Sequence, residues 1–391
     1  MGQSLSRYQA VTSGNITAVR AHLRLQLGQT RKTHFCIENA QLAAEHGQLE
    51  VVKFLVPTVA DQTKKDDCCI IATKCAAIDG RFEIVKFLVP TVADKTKKDD
   101  CCIKAAVYAA FSGHFEIVKF LVPTVADQTK KDDCCIKAAK FAAFNGHFEI
   151  VKFLVPTVAD KTKKDDCCIK AAEYAAINGI FEIVKFLVPT VADQTKKDDC
   201  CIIATKCAAI DGQIEIVKFL VPTVADQTKR DDCCIKAAKF AAGKGHLEIV
   251  KFLVPTVADQ TKRDDCCIKA AESAAINGHF EIVKFLVPTV AEQTKRDDCC
   301  IKAAESAAIN GHFEIVKFLV PTVADQTKRD DCRIKAAKSA AINGQFEIVK
   351  FLVPTVADQT KRDDCCIKAA ESAAINGHFE IVKFLVPTVA D

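Results

Sequence analysis

The sequence predicts an all-α fold, an α-solenoid of about twelve stacked helix-turn-helix repeats. Three observations carry that expectation. A glycine returns every 33 residues from Gly47 through Gly80 and Gly113 to Gly377, and Gly14 stands 33 before Gly47. The run Asn310-Gly311-His312-Phe313-Glu314-Ile315-Val316-Lys317-Phe318-Leu319-Val320-Pro321 recurs with small changes to the C-terminus. Hydrophobic residues make up 49% of the 391, enough for a long continuous core. The apolar runs are short and broken by charge, which predicts neither a transmembrane helix nor a signal peptide.

Residues 1–33 read as a basic N-terminal cap repeat, and residues 34–391 as eleven 33-residue repeats. The chain opens Met1-Gly2-Gln3-Ser4-Leu5-Ser6, which fits the N-myristoylation pattern with Gly2 as the acylated residue. Residues 1–37 carry Arg7, Arg20, Arg24, Arg31 and Lys32 and no acid. One acyl chain binds a bilayer weakly, so a basic segment is the expected second signal for an anionic membrane surface. Ile16 to Gln26 reads as a helix with Ile16, Val19 and Leu23 on the face that covers the next repeat. Gly28 reads as its C-terminal stop. The rest of the chain holds 49 basic and 50 acidic residues, so no basic stripe runs along it. That argues against nucleic acid as a partner.

Residues 297–329 show the repeat's logic. Asp297 or Asp298 reads as the N-cap of a first helix. Cys300, Ile301, Ala303, Ala304, Ala307, Ala308 and Ile309 make that helix apolar on most sides. Gly311 ends it, since glycine accepts the left-handed backbone of a tight turn. The second helix draws its core from Phe313, Ile315, Val316, Phe318, Leu319 and Val320, and Pro321 marks its end at Val320. Thr322 to Arg329 reads as a polar connection.

Nine repeats carry adjacent cysteines such as Cys299-Cys300, and in a tenth Cys332 precedes Arg333. Neighbours on a helix point about 100° apart and form no single ligand face. Stacked helices about 10 Å apart hold equivalent cysteines too far apart for a disulfide. No zinc spacing appears, so no metal and no cofactor are expected. One cysteine of each pair is expected to pack as a small apolar residue and the other to lie near the surface. So many thiols fit a reducing, cytoplasmic compartment.

The run Asn-Gly-His-Phe-Glu-Ile-Val-Lys-Phe-Leu-Val resembles the helix-turn-helix heart of the ankyrin repeat. Residues 38–53, from Glu38-Asn39-Ala40 to Val51-Val52-Lys53, are the most similar. The family's Thr-Pro-Leu-His start is replaced by Asp-Asp-Cys-Cys-Ile-Lys-Ala-Ala, and its Gly-Ala-Asp by Val323-Ala324-Asp325 after a proline. These departures point to a longer first helix. The resemblance implies a scaffold for a protein partner held on the concave face, and it assigns His114, His147, His246, His279, His312 and His378 to the turn.

Variation concentrates five and six positions before the glycine. The inner column reads Leu42, Cys75, Tyr108, Phe141, Tyr174, Cys207 and Phe240, then serine to the end. Packing between helices is the expected role of this column. Its rings Tyr108, Phe141, Tyr174 and Phe240 are the candidate partner-binding residues, because aromatic anchors dominate binding hot spots. No unrepeated cluster of reactive groups, phosphate loop or nucleophile elbow appears, so no catalytic residue and no enzyme are expected. The expected protein is a cytoplasmic scaffold tethered through Gly2 to the inner leaflet. The alternative is a spacer or a rod that self-associates end to end, without a specific partner. Thiol-held zinc is a third and weaker reading.

Overall fold

The computed structural model describes residues 5–388, which are helical with no strand among them. It divides into two compact units, Met1–Cys200 and Cys201–Asp391. Each unit is a stack of one recurring helix pair. In the second unit the pair is Gln293–Ile309 followed by Phe313–Thr322, and the next pair begins with Gln326–Ile342. In the first unit its counterpart is Lys95–Ser112 followed by Phe115–Thr124. The chain is thus an all-α solenoid of the expected kind.

The first helix starts earlier than the sequence reading placed it. Residue 292, not Asp297 or Asp298, sits at the N-cap, and Asp297 lies a full turn inside the helix. In the next repeat Asp325 caps through its side chain, which accepts the Lys328 N–H at 2.8 Å. The polar stretch after Thr322 is therefore mostly helix, and the connection shrinks to Val323, Ala324 and Asp325. Pro321 also stays inside the last turn of its helix instead of ending it at Val320. Proline's fixed φ suits a helix, and the carbonyl it leaves unbonded is that of Lys317, on the solvent side. Elsewhere the same Val-Pro-Thr forms one tighter 3-10 turn, as in Val221–Thr223 and Val353–Thr355.

The core follows from the side chains. Ala303, Ala304, Ala307 and Ala308 are fully buried, and first helices pack directly on their neighbours through such small residues. Ile315, Val316, Leu319 and Val320 fill the space between the two helices, and Val323 extends that core into the connection. Phe313 and Phe318 are only half-buried. Their rings meet those of adjacent repeats edge to face: Phe313 lies 5.5 Å from Phe351, and Phe280 lies 5.7 Å from Phe318.

The aspartate inside the first helix joins one repeat to the next. Asp297 is buried. It accepts the Gln293 side-chain amide at 2.8 Å and the backbone N–H groups of Ala324 and Asp325 at 3.0 and 3.3 Å. In the first unit Asp132 does the same with Gln128, Ala159 and Asp160. The neighbouring aspartate works at the surface: Asp298 pairs with Lys328 at 3.0 Å, and Asp133 with Lys163 at 2.8 Å. A second link runs the other way. The His312 ring nitrogen Nε2 meets the Ile276 carbonyl at 3.1 Å, one repeat back. Gly278 makes room for it: its φ is +78°, and a Cβ there would stand 2.7 Å from the His312 ring. Glycine is needed both for backbone and for space.

At the N-terminus, Ser6 caps the helix Arg7–Thr12 reciprocally with Gln9. A second helix, Ile16–Arg24, buries Val19 and Leu23 as expected, while Ile16 is half-buried. Gly28 does not stop that helix, which ends at Arg24; it stands at the N-cap of Gln29–Glu45 with φ +81°. The helix closes at its C-cap Leu25 before Gly28 is reached, so the glycine serves the turn into the next element.

Burial would raise the Asp297 carboxyl, but the N–H of Ala324, the Gln293 amide and the N–H of Asp325 outweigh it and hold the group below its ordinary 3.8. A depressed value means stability that is present above the unfolded value and lost as pH falls through the folded one. The stack should therefore lose urea resistance below about pH 4. Asp297→Asn should cost about 1–3 kcal/mol at neutral pH, because an amide cannot accept three donors. The cost should shrink in acid, where the wild-type carboxyl is itself protonating. Amide hydrogen exchange at Ala324 and Asp325 reads this locally; unchanged protection in the variant would contradict it.

Candidate interaction surface

The variable column lies at the C-terminal end of each first helix, one turn before the glycine. Its rings are not packed away between helices, although Cys75 of the same column is buried. Tyr108 is 38% exposed and Phe240 39%, while Phe141 and Tyr174 are half-buried. The alanines on either side fill the helix contact, so the larger side chain between them is pushed to the edge. The rings are held by neighbours from the adjacent repeat. Phe111 lies edge to face with Phe141 at 6.1 Å, and Phe144 with Tyr174 at 6.0 Å. Lysines from the neighbouring column cover the rings. Lys74 Nζ stands 4.8 Å from the Tyr108 centroid, and Lys140 Nζ 4.4 Å from that of Tyr174. In the second unit Lys206 covers Phe240 at 5.1 Å. Such contacts are worth about 0.5–1 kcal/mol each at exposed sites.

The structure thus brings Tyr108, Phe141 and Tyr174 into one patch within the first unit and leaves Phe240 in the second. It also adds two residues that sequence reading passed over. Phe111 and Phe144 stand two positions before their glycines, where most repeats have isoleucine. Both are exposed. The signal was available: phenylalanine departs from the column's isoleucine only in the two repeats that precede Phe141 and Tyr174. Ile78, Val107, Tyr108, Phe111, Ser112 and Phe141 line a depression of about 390 Å³.

The basic N-terminal residues are spread over the cap. Arg7 pairs with Glu38 at 3.3 Å, and the Arg20 guanidinium lies 5.1 Å from the Phe54 centroid. Arg7 and Arg31 border one shallow depression with His34 and Glu38. Arg24 and Arg31 are exposed and Lys32 is half-buried. Gly2 lies outside the described residues. Among the described residues no helix is long and apolar enough to cross a membrane.

The cysteine pairs differ from expectation. Both members are buried: Cys134 and Cys135 are fully covered, as are Cys266 and Cys267. The first helix is covered on two sides, so one thiol turns to the preceding repeat and the other inward. Cys134 Sγ reaches the Ile103 carbonyl at 3.9 Å. Burial, with the thiol neighbour Cys135 next, pushes Cys134 up to about 12, and burial likewise pushes Cys300 up to about 12. Such thiols are small apolar fillers rather than nucleophiles. Among the described residues no group of three or more His, Cys, Asp or Glu could hold a metal ion.

Comparison with known proteins gives a consistent family match. The family model described as ankyrin repeats (three copies) matches residues 40–132, 106–198, 139–231, 205–298 and 304–391. No curated protein sequence matches the chain. Among solved structures, one match is a "circular tandem repeat protein with novel repeat topology and enhanced subunit contact surfaces". It is 13% identical, covers 97% of this chain and 72% of that one, and has a TM-score of 0.15. That likeness is too weak to bear on function.

The buried pairs should resist iodoacetamide in the native protein at about pH 8, where an ordinary surface thiol reacts. They should react together once the protein is unfolded in urea. Peptide mass mapping checks this; rapid native labelling of Cys134 or Cys300 would show that the thiols are accessible.

Proposed function

The chain belongs to the ankyrin-repeat family, and from that premise we propose that it is an interaction scaffold tethered to a membrane through acylated Gly2. Ankyrin repeats in general mediate contacts between proteins, and the family is generally non-enzymatic. The tether rests on the pattern Met1-Gly2-Gln3-Ser4-Leu5-Ser6 and on the acid-free segment that follows it. The helix Arg7–Thr12, capped by Ser6, begins directly after the motif. Exposed Arg24 and Arg31 are the residues best free to meet an anionic surface. Residues 1–33 would then serve both as the end cap of the stack and as its membrane-facing side. The single observation that carries the scaffold is the aromatic patch, an unrepeated surface on an otherwise repeated framework. Tyr108, Phe141 and Tyr174 are its partner-binding residues, with Phe240 a separate point in the second unit.

A second reading is favoured by the sameness of the repeats: the second helices Phe280–Thr289 and Phe313–Thr322 have one sequence, Phe-Glu-Ile-Val-Lys-Phe-Leu-Val-Pro-Thr. Such units suit a spacer or a rod that self-associates end to end, without a specific partner.

The two readings are separated by two measurements. Intact mass after expression in eukaryotic cells should show a myristoyl increment, and Gly2→Ala should abolish both the increment and membrane fractionation. An unmodified, wholly soluble wild type would remove the tether. Sedimentation over a wide concentration range should show a monomer if the scaffold acts singly. Concentration-dependent association would favour the end-to-end assembly instead.

A further inference from the structure

Lysines border the aromatic patch, with Asp79 and Glu173 at its edges. From Cys68 to Ile78, Cys101 to Ser112 and Cys134 to Phe144, the C-terminal halves of three successive first helices carry Lys74, Lys104, Lys137 and Lys140 and no acidic residue. Lys74, Lys104 and Lys137 are exposed and Lys140 is half-buried. Lys74 and Lys140 occupy the variable position, whereas Lys104 and Lys137 recur in later repeats as Lys170, Lys236 and Lys269. Glu173 replaces the lysine in the next repeat, as Glu272, Glu305 and Glu371 do later, where the aromatic column has become serine. A ring directly beside a lysine occurs at Lys140-Phe141 and Lys239-Phe240, whereas Tyr174 stands beside Glu173 and Lys338 beside Ser339. Lysines at the N-terminal ends of the first helices have acidic partners one repeat away, such as Asp100 for Lys130. Lys74 and Lys140 lie instead over rings, while Lys104 and Lys137 border a shallow depression with Asp100 and Asp133.

We propose that this surface binds an acidic, amphipathic segment of a partner protein. Apolar side chains of the segment would enter the depression between Tyr108, Phe111 and Phe141, and its carboxylates would meet Lys74, Lys104, Lys137 and Lys140. This deepens the scaffold reading above and rests on it. Charge complementarity selects the partner's sign. The ring geometry selects a peptide over a nucleic acid. Base stacking needs an open ring face, whereas Lys74 occupies a face of Tyr108 and Lys140 a face of Tyr174. The opening left is an apolar depression of about 390 Å³, which suits an aliphatic or aromatic side chain.

The sequence supplies its own control substitutions. Serine stands at the ring position in four later repeats and glutamate at the lysine position in several, so Phe141→Ser and Lys140→Glu each copy a neighbour that folds. The probe is a fluorescent helical peptide of about 20 residues, roughly 30 Å long and able to cross three repeats. It carries leucine on one face and glutamate on the other. A version with lysine for glutamate, an oligothymidylate and vesicles containing phosphatidylserine are the comparisons. Anisotropy with the full chain should show the acidic peptide bound, weakening as salt rises. Phe141→Ser and Lys140→Glu should each weaken it at least tenfold, with circular dichroism unchanged. Equal binding of the lysine peptide, stronger binding of oligothymidylate or vesicles through the same residues, or no binding of the acidic peptide would each overturn the proposal. Proximity labelling in cells keeps the two levels apart. Partners shared by wild type and the double variant would leave the scaffold standing without this site, and no partner for either would remove the scaffold itself.

Discussion

Desolvating a carboxylate such as Asp297 is costly, and burial on its own would drive it to hold a proton. Three donors reverse that balance, and two of them are the first backbone N–H groups at the entry to the next repeat's helix. Those N–H groups are otherwise without partners, because a helix start has no preceding turn to bond to. One interaction therefore satisfies a buried charge and a buried helix entry together. It also fixes the distance and orientation between successive pairs. The remaining order of each unit follows: the next cap, Asp325 in this instance, is placed correctly only when Ala324 and Asp325 are held by Asp297.

The return link through histidine makes the stack bidirectional. An aspartate reaches forward to the following repeat, and His312 reaches back to the Ile276 carbonyl. Where a histidine follows the glycine, as in six repeats, the pair is pinned at both ends of its first helix, and the alanine contacts need only be close and smooth. This explains why the framework barely varies. A larger residue at an alanine position, or a side chain at the glycine, would break a contact that recurs along the unit. Freedom is left only at the exposed edge one or two turns before the glycine, which is where the rings and their lysines are found.

The cysteines belong to the same economy of space. A thiol is small and apolar enough to fill the seam between adjacent first helices, and its sulfur can still reach a carbonyl, as Cys134 does. Burial keeps it neutral, so adjacent thiols in successive repeats coexist without charge repulsion. Their number reflects the copying of one well-fitting seam rather than a chemical site.

The period, the helix pair, the glycine turn and the alanine-rich seam were legible in the residues, since each depends on spacing within about one repeat. Val19 and Leu23 in the cap, and the ring column as a place of difference, were legible for the same reason. The role of Asp297 was not. An acidic pair before an apolar run reads as a helix start, and only the fold shows that the first carboxylate serves atoms 27 and 28 positions ahead. Nor could the outward lie of Tyr108, or the meeting of Phe111 with Phe141, be read from one helix. A helical period says which residues share a face, not which neighbour covers it. That coverage is decided by packing between repeats, and it determines what is core, what is latch and what is left exposed to a partner.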